Sequence, residues 1–381
     1  MEYNLCAPCL FGVEGVLAKE LKRHKFQNIR SDNGRVFFDG GARDILRANL
    51  LLATAERVLI VVGGFTAQSF AQLFDNTAAL PWEDYIPGGA AFPVKGSAVR
   101  SKIMSVPDAQ SIIKKAVASR LGTGANAGAI AGQWLDESGP KYQIQFLILD
   151  DRATLFIDTS GEGLHKRGYR PGAAEAPLRE TLAAALVYLS DFFSDNILTD
   201  PFCGTGTIPI EAALLAANIA PGLRRDFACE RFEIIPPALS RELRAECKSH
   251  IKKAPAVITG SDIDPACVAA AQICAQRAGV GEAVRFYPAD ALEREYNTGS
   301  IVIANPPYGQ RMGDISTIEG MYRGFGKNIL NRDLSLSLIS SHTEADRLLG
   351  RPCGKKRNLY NGMIKCVLYM YTKNRARVPS Y

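Results

Sequence analysis

The sequence lacks the features that mark exported and membrane proteins. Residues 1–4 begin the chain without the basic region and apolar core that a signal peptide needs. No apolar run is long enough to span a bilayer, which takes about 20 residues. The nine cysteines form no regular framework, and scattered free thiols are typical of a reducing compartment. We therefore expect a cytoplasmic protein that does not associate with membranes.

The usual signatures of metal and pyrophosphate sites are also missing. Cys6 and Cys9 form a CxxC pair, but no second cysteine or histidine pair lies nearby to complete a zinc site, so we expect no metal. The glycine-rich stretch 200–207 has neither the GxxxxGK(S/T) spacing of a phosphate loop nor the third glycine of GxGxxG. A bound pyrophosphate is therefore not expected.

The composition is that of an ordinary globular protein. The 381 residues suffice for two or three domains, and 47% are hydrophobic and 22% charged. The net charge of +6 and the isoelectric point near 8.8 are mildly basic. This balance permits a nucleic-acid partner but does not require one.

Two small α+β units are predicted for the first 165 residues from alternating and amphipathic patterns. In residues 1–65 these patterns predict strands at 3–10, 35–39 and 57–62, and helices at 12–26 and 42–52. In residues 66–165 they predict helices at 70–80 and 108–121, and strands at 92–96, 142–150 and 153–158. The last two strands are joined by a tight Asp-Arg turn.

Basic residues gather along the second unit. They are Lys95, Arg100, Lys102, Lys114, Lys115 and Arg120. Such a row is usually a solvent-exposed face of the protein. The more specific alternative is a surface that binds the phosphates of a nucleic acid.

Residues 160–172 form a segment that is glycine-rich, basic and aromatic, and a helix is predicted after it at 174–193. Its notable side chains are His165, Lys166, Arg167, Tyr169 and Arg170. A plain linker has little need for these side chains together. We interpret the segment as the junction between domains and as a loop that closes on a cofactor or substrate.

From residue 196 onward, strands alternate with helices, which is typical of a parallel sheet. The predicted strands lie at 197–200, 256–261, 284–287, 300–304 and 334–340, with two short strands within 358–371. The predicted helices lie at 207–218, 265–278 and 318–330, and residues 219–255 form an insertion.

Asn305, Pro306, Pro307 and Tyr308 follow the apolar strand at 300–304. Two prolines stop a strand because neither can donate to the ladder. Ligands bind at the carboxyl ends of strands in open α/β sheets. The Asn305 amide oxygen and the Pro306 carbonyl can each accept one N–H of a flat exocyclic amine, while Tyr308 stacks on the ring. A simple strand-to-turn signal is the alternative reading.

Acidic residues follow the three preceding strands. Asp200 could accept from an ammonium group, and Gly204 and Gly206 let the backbone after it approach a ligand closely. Asp262 could bind a ribose diol, and Asp290 an adenine amine. Each of these acids alone could equally be a turn or cap residue.

Asp264, which precedes Pro265, is predicted to be a helix cap. With Asn305 after the fourth strand, Asp200, Asp262 and Asp290 are expected to form one row along the edge of the sheet.

This row resembles the class I S-adenosylmethionine-dependent methyltransferases over residues 174–372. The stretch 305–308 (NPPY) looks like the signature of enzymes that methylate exocyclic amines of bases or amide nitrogens of glutamine. Three further motifs look like the family of the large-subunit ribosomal RNA guanine-N2 methyltransferase: HKRGYR at 165–170, APLRE at 176–180 and LYNG at 359–362.

The resemblance implies an α/β fold with three parts. They are a ferredoxin-like domain at 1–65, a THUMP RNA-binding domain at 66–165 and a methyltransferase domain with a seven-stranded mixed sheet at 166–381. Family members can carry a second methyltransferase domain. The 381 residues have room for one methyltransferase domain, and we therefore expect one methyltransferase activity.

The resemblance also implies roles for residues. The cofactor, S-adenosyl-L-methionine, would contact Asp200, Cys203, Gly204, Gly206, Asp262, Ile263, Asp290, Ala291 and Asn305. The catalytic residues would be Asn305, Pro306 and Tyr308. RNA, expected to be large-subunit ribosomal RNA, would contact Lys95, Arg100, Lys102, His165, Lys166, Arg167 and Arg170. The alternatives are a tRNA guanine-N2 methyltransferase, a DNA adenine-N6 methyltransferase and a non-catalytic RNA-binding protein, and the oligomeric state is left open.

Overall fold

The computed structural model describes residues 1–123, 138–170, 178–193, 196–253, 256–307 and 315–372. Within these ranges the chain forms two sheets of seven strands each, with helices packed against both. No helix in the described ranges is long and apolar enough to cross a membrane.

The first unit has the β-α-β-β-α-β order of a ferredoxin-like fold. Its elements are β1 (Tyr3–Pro8), α1 (Glu14–Arg23), β2 (Gln27–Asp32), β3 (Arg35–Gly40), α2 (Ala42–Leu51) and β4 (Leu59–Thr66). The sequence patterns missed β2, because this edge strand is polar and exposed along most of its length. An apolar alternation therefore cannot reveal it.

The second unit extends the same sheet. It contains α3 (Phe70–Ala78), β5 (Val94–Val99), α4 (Val106–Thr123), β6 (Ile144–Leu149) and β7 (Arg152–Asp158). The strand order is β2-β3-β1-β4-β7-β6-β5, and β4 pairs with β7 antiparallel from Leu59 to Thr66. The turn between β6 and β7 consists of Asp150 and Asp151, both with positive φ, because Arg152 already belongs to β7.

The second sheet belongs to the C-terminal part of the chain. Its strands are β8 (Ile197–Asp200), β9 (Val257–Asp262), β10 (Val284–Pro288), β11 (Ile301–Ala304), β12 (Ser335–Ser340), β13 (Lys355–Asn361) and β14 (Ile364–Tyr371). They lie in the order β10-β9-β8-β11-β12-β14-β13, and β14 runs antiparallel to both of its neighbours. The predicted seven-stranded mixed sheet is confirmed.

Helices cover this sheet on both faces. They are α5 (Glu180–Leu189), α6 (Thr207–Ala216), α8 (Pro265–Ala278), α9 (Ile315–Ile329) and α10 (Ala345–Leu349). Helix α7 (Pro237–Ser249) lies between α6 and α8 in the chain and packs instead in the core of the N-terminal sheet. Residues of α5, α6 and α8 share one apolar cluster, and residues of α9 and α10 share another. The start predicted for α5, at 174, falls on residues outside the described ranges, and α5 begins at Glu180.

The insertion at 219–255 connects the two halves of the molecule. Its helix α7 lies against α2, and Arg43 of α2 forms ion pairs with Glu242 and Glu246, each with an N···O distance of 2.6 Å. Phe227 and Phe232 from the same insertion are buried in the core of the N-terminal sheet. The insertion therefore fixes the methyltransferase-like sheet to the ferredoxin-like unit.

Candidate active site

Four neighbouring strands end at one edge of the second sheet. Because β10, β9, β8 and β11 are adjacent and parallel, their carboxyl ends carry Asp290, Asp262, Asp200 and Asn305 to the same edge. The sequence predicted this row from strand positions alone. Three carboxylates and one amide thus follow the strands at this edge of the sheet.

Asp200 is the most buried of the three acids, with 1% of its surface exposed. Its Oδ1 accepts a hydrogen bond from the Phe202 N–H at 3.1 Å. Burial, reinforced by the nearby charge of Asp262, raises the pKa of Asp200 to about 8, although the Phe202 hydrogen bond acts in the opposite direction. A cationic group beside this carboxyl would restore its charged form, so the site suits an ammonium.

The pH dependence of folding stability provides a test of this burial. Because the folded-state pKa of Asp200 is raised to about 8, its contribution to stability is fully present below its unfolded pKa of about 3.9 and is lost as pH rises through about 8. In the chain with Asp200→Asn, we expect the free energy of unfolding to fall less between about pH 5 and about pH 8. Urea titrations of both proteins without cofactor measure this, and parallel pH profiles would contradict it.

Two backbone N–H groups of the loop after β8 donate to β9, one to a carbonyl and one to a carboxylate. The Cys203 N–H donates to the Ser261 carbonyl at 2.9 Å, and the Gly204 N–H donates to Asp262 Oδ2 at 2.9 Å. Gly206 has a φ of +81°, and a Cβ there would lie 2.8 Å from Phe286 Cζ. Only glycine fits this position without displacing β10.

Asp262 has a structural role in the loops beside it, and its predicted contact with a ribose stays a prediction. Its second oxygen, Oδ1, accepts from the Asp264 N–H at 3.1 Å, so both oxygens already hold the loops beside them. Ile263, which follows it, is 71% exposed. An exposed large apolar side chain beside a half-buried carboxylate offers one polar and one flat apolar contact to a nucleoside.

Asp290 and Ala291 lie at the end of the next strand. Asp290 Oδ1 accepts from the Leu292 N–H at 2.8 Å, and Ala291 is buried. Asp264 accepts from the Ala266 N–H at 2.8 Å, which confirms the predicted helix cap.

The side-chain oxygen of Asn305 can accept a hydrogen bond that no described residue donates. This oxygen, Oδ1, is buried and has no hydrogen-bond partner among the described residues. An unsatisfied buried polar atom typically costs about 1–3 kcal/mol, and a donor from a bound ligand would remove that cost. Pro306 is buried beside it, and Tyr308 lies outside the described residues.

The basic residues of the junction are not equivalent. Arg167 is 3% exposed, and its guanidinium donates to the carbonyls of Leu164 at 2.6 Å and Ala53 at 2.5 Å. It also lies 3.4 Å from Glu211 on α6. The prediction that Arg167 contacts RNA is therefore corrected, because this side chain is internal and connects the two halves of the molecule.

Arg170 is also engaged within the protein. It donates to the Leu178 carbonyl at 2.8 Å and to the hydroxyl of Thr207, the first residue of α6, and it pairs with Glu180. The Arg170 side chain thus supports the end of the glycine loop rather than an RNA surface.

The remaining predicted RNA contacts lie at or near the surface. His165 Nδ1 is 3.4 Å from Glu56, and Lys166 is exposed and pairs with Glu162 at 3.0 Å. Arg100 pairs with Asp150, Lys102 donates to Gln68, and Lys95 is exposed. These five stay predictions.

Sequence reasoning missed the buried acid that Arg167 contacts. Glu211 is 1% exposed, and its other oxygen accepts from the Tyr169 hydroxyl at 3.2 Å. The signal was present, because Glu211 is the one charged residue in the otherwise apolar helix TIPIEAALLA. A lone charge in a wholly buried helix requires a partner.

Comparison with known proteins agrees with this geometry. The profile of a family described as "RMKL-like, methyltransferase domain" matches residues 167–370. Profiles for the RlmL ferredoxin-like domain and the THUMP domain match residues 4–59 and 67–158. The chain belongs to the RMKL-like methyltransferase family.

Two curated relatives illustrate the RMKL-like family. YpsC of Bacillus subtilis (strain 168), named provisionally as an RNA methyltransferase, is 40% identical over 97% of this chain and 96% of its own length. The ribosomal RNA large subunit methyltransferase K/L of Psychromonas ingrahamii (strain DSM 17664 / CCUG 51855 / 37) is 33% identical over 96% of this chain and 49% of its own length. The chain thus spans about half the length of this K/L relative.

Two solved structures resemble this RMKL-like chain closely. SMU.472, named provisionally as a methyltransferase and crystallised with SAH, has a TM-score of 0.91 and 36% identity, with 99% of each chain covered. A Listeria monocytogenes str. 4b F2365 protein described as a predicted N6-adenine-specific DNA methylase has a TM-score of 0.89 and 39% identity, covering 98% and 96%.

The cofactor of this RMKL-like protein is S-adenosyl-L-methionine. The residues at the edge of the second sheet fit its chemistry. A buried carboxyl suits the ammonium of its methionine part, and a half-buried carboxylate beside exposed Ile263 suits its nucleoside. The glycine loop leaves space at Gly204, where a Cβ would meet no atom within 4 Å.

Proposed function

We propose that this protein methylates the exocyclic N2 amine of a guanine in RNA, and that the RNA is large-subunit ribosomal RNA. One observation carries the choice of an amine: the Asn305 Oδ1 at the end of β11 is buried and has no hydrogen-bond partner in the part of the chain that the structure describes. An amine donates N–H groups, so it supplies the hydrogen bond that this oxygen lacks. The name of the K/L relative supports ribosomal RNA as the substrate.

Each residue of the site receives a role in this proposal. Asp200 accepts from the ammonium of the cofactor, with the loop of Cys203, Gly204 and Gly206 against its methionine part. Asp262 accepts from the ribose, and Ile263 covers one face of the adenine. Asp290 and Ala291 contact the adenine edge.

The amine is oriented by the residues after β11. Asn305 Oδ1 and the Pro306 carbonyl each accept one N–H, which turns the nitrogen lone pair away from both and toward the reactive methyl. Tyr308 stacks on the base. The bound sulfonium supplies an activated methyl group, so orientation by the protein accounts for much of the rate, without a nucleophilic side chain.

The guanine must leave its base stack to reach this edge. Unstacking costs a few kcal/mol, and stacking on an aromatic ring such as Tyr308 returns about 1–3 kcal/mol. A base that is already single-stranded or in a loop is therefore the preferred target. The ferredoxin-like and THUMP parts, assigned to 1–65 and 66–165, would hold the RNA, and residues 166–381 would carry the chemistry.

Nucleoside analysis tests the proposal. Unmodified large-subunit ribosomal RNA, a tRNA pool and genomic DNA are each incubated with the full chain and methyl-labelled cofactor, then digested and separated. We expect label in N2-methylguanosine from the ribosomal RNA, and an initial rate of labelling about 10²–10³ lower with the Asn305→Ala protein. Label in N6-methyladenosine or in DNA would overturn the choice of base, and label confined to tRNA would overturn the choice of RNA.

A further inference from the structure

Among the residues that the structure describes, no helix packs against one face of the N-terminal sheet, which we call the open face. Helices α1 to α4 pack on the opposite face, where they share the main apolar cluster with inward residues such as Leu5, Phe38 and Ile144. On the open face, a separate cluster contains only strand residues among those the structure describes. Cys6, Leu59 and Phe156 are buried in it, and Phe37, Val61 and Leu147 are partly buried against them. The open face is continuous across both N-terminal units, because β4 and β7 join them.

A groove of about 440 Å³ crosses this open face from β2 to β6. Its walls include Arg30, Phe37, Val61, Leu149, Arg152 and Thr154. Strand register explains the grouping, since Arg30 lies opposite Phe37 and Leu149 lies opposite Arg152. We call this feature the sheet groove.

The sheet groove has an excess of uncommitted positive charge. Arg30 and Arg152 are exposed, and Lys95 on β5 projects from the same face, next to Gln145. No ion pair joins any of these three to a carboxylate in the part of the chain that the structure describes.

The acids on this face are already engaged. Asp39 accepts from the side-chain amides of Asn4 at 3.0 Å and Asn28 at 2.8 Å, and buried Asp158 pairs with Arg57. Asp32 lies 3.8 Å from Arg35. The unpaired cations are therefore available to an anionic ligand.

The sheet groove also offers a surface for stacking. The Arg30 guanidinium carbon lies 5.8 Å from the centre of the Phe37 ring. Bases of single-stranded RNA stack on aromatic rings and on guanidinium planes. Exposed Gly64 leaves the middle of the groove without a side chain, so a backbone can approach closely. Cations without carboxylate partners and an apolar floor together suit a chain of phosphates and unpaired bases.

We propose that the sheet groove binds a single-stranded segment of the RNA substrate, apart from the base that is methylated. The proposal rests on the proposed function in taking RNA as the substrate. It adds Arg30 and Arg152 to the contact already predicted for Lys95, and they replace those predicted for Arg167 and Arg170. A protein partner would have to bury these unpaired charges, which is costly without matching carboxylates.

Charge reversal in the full chain tests the sheet groove. Fluorescence anisotropy measures binding of a labelled 16-nucleotide single-stranded RNA to Arg30→Glu/Arg152→Glu at several salt concentrations. We expect at least tenfold weaker binding, and a salt slope smaller by about 1.4, since each lost phosphate contact on a single strand contributes about 0.7. The variant Arg30→Lys/Arg152→Lys should regain most of the affinity.

The matched control is Arg241→Glu/Lys248→Glu, which reverses two exposed cations on α7. It should bind the RNA within about twofold of the parent protein, because surface charges away from the groove are screened. Calorimetry with S-adenosylmethionine should give the same affinity for all variants, which shows that each is folded.

Four results would overturn the sheet groove as an RNA site. The first is an unchanged RNA affinity in Arg30→Glu/Arg152→Glu, and the second is an equal loss of RNA affinity in the α7 control. The third is tighter binding of an RNA duplex than of the single strand. The fourth is a change in self-association, measured by light scattering, without a change in RNA binding. Because the assay measures binding alone, its outcome does not depend on which base is methylated. A wrong guanine-N2 assignment would therefore leave it intact.

Discussion

Replacing Asn305 with alanine should lower kcat by about 10²–10³, judging from the removal of single positioned hydrogen bonds in other active sites. The reason is the Asn305 Oδ1, which has no hydrogen-bond partner among the described residues and which the proposal pairs with the amine that is methylated. The affinity for S-adenosylmethionine should change little, because the proposal assigns most cofactor contacts to Asp200, Asp262 and the glycine loop. Single-turnover methylation and calorimetry measure the two quantities separately.

Conservative changes refine the Asn305 prediction. Asn305→Asp should retain more activity than Asn305→Ala, because a carboxylate still accepts a hydrogen bond. Tyr308→Phe should be milder than Tyr308→Ala, because the ring still stacks. An Asn305→Ala protein with the turnover of the parent would contradict the proposed chemistry, and a matching loss of cofactor affinity would reassign Asn305 to cofactor binding.

The second large effect concerns folding. Arg167→Ala should lower the free energy of unfolding by about 3–5 kcal/mol, the usual result of leaving a buried charge without its partner. Glu211 is 1% exposed, and burial already raises its pKa, which Arg167 opposes. Removing Arg167 also frees the buried Ala53 carbonyl. Urea denaturation at neutral pH measures the change.

Two further variants separate this role from surface charge. Lys166→Ala, at the exposed neighbour, should change stability by about 0.5 kcal/mol or less. The double variant Arg167→Met/Glu211→Met should lose less stability than the sum of its two single variants, since neither charge remains unpaired. Additive losses in this cycle would show that the two side chains do not interact.

Much of the site could be predicted from the sequence because each of its residues follows an apolar strand. The bounds predicted for the strands at 197–200 and 300–304 lie within one residue of β8 and β11. Because β8 and β11 are adjacent and parallel, Asp200 and Asn305 then lie at the same edge of the sheet. The Asp264 cap was predicted because Asp before Pro at a helix start is a local signal.

The rest depended on contacts between residues far apart in sequence. Arg167 looks like a surface cation in HKRGYR, and only the fold brings it to Ala53 and Glu211. The polar strand β2 and the short helix α10 have too little apolar periodicity to be predicted. Likewise, the pattern of separate N-terminal units did not indicate that they share one sheet.

The pairing of β4 with β7 has a consequence for how this architecture can be divided. The predicted boundary at 65/66 cuts between the last two residues of β4, Leu59–Thr66. A fragment that begins at 66 would expose the unpaired edge of β7, and exposed strand edges recruit other chains. The ferredoxin-like and THUMP parts should therefore be inherited, expressed and lost as a pair. A gene fusion that separates them would need a new strand to cover β7.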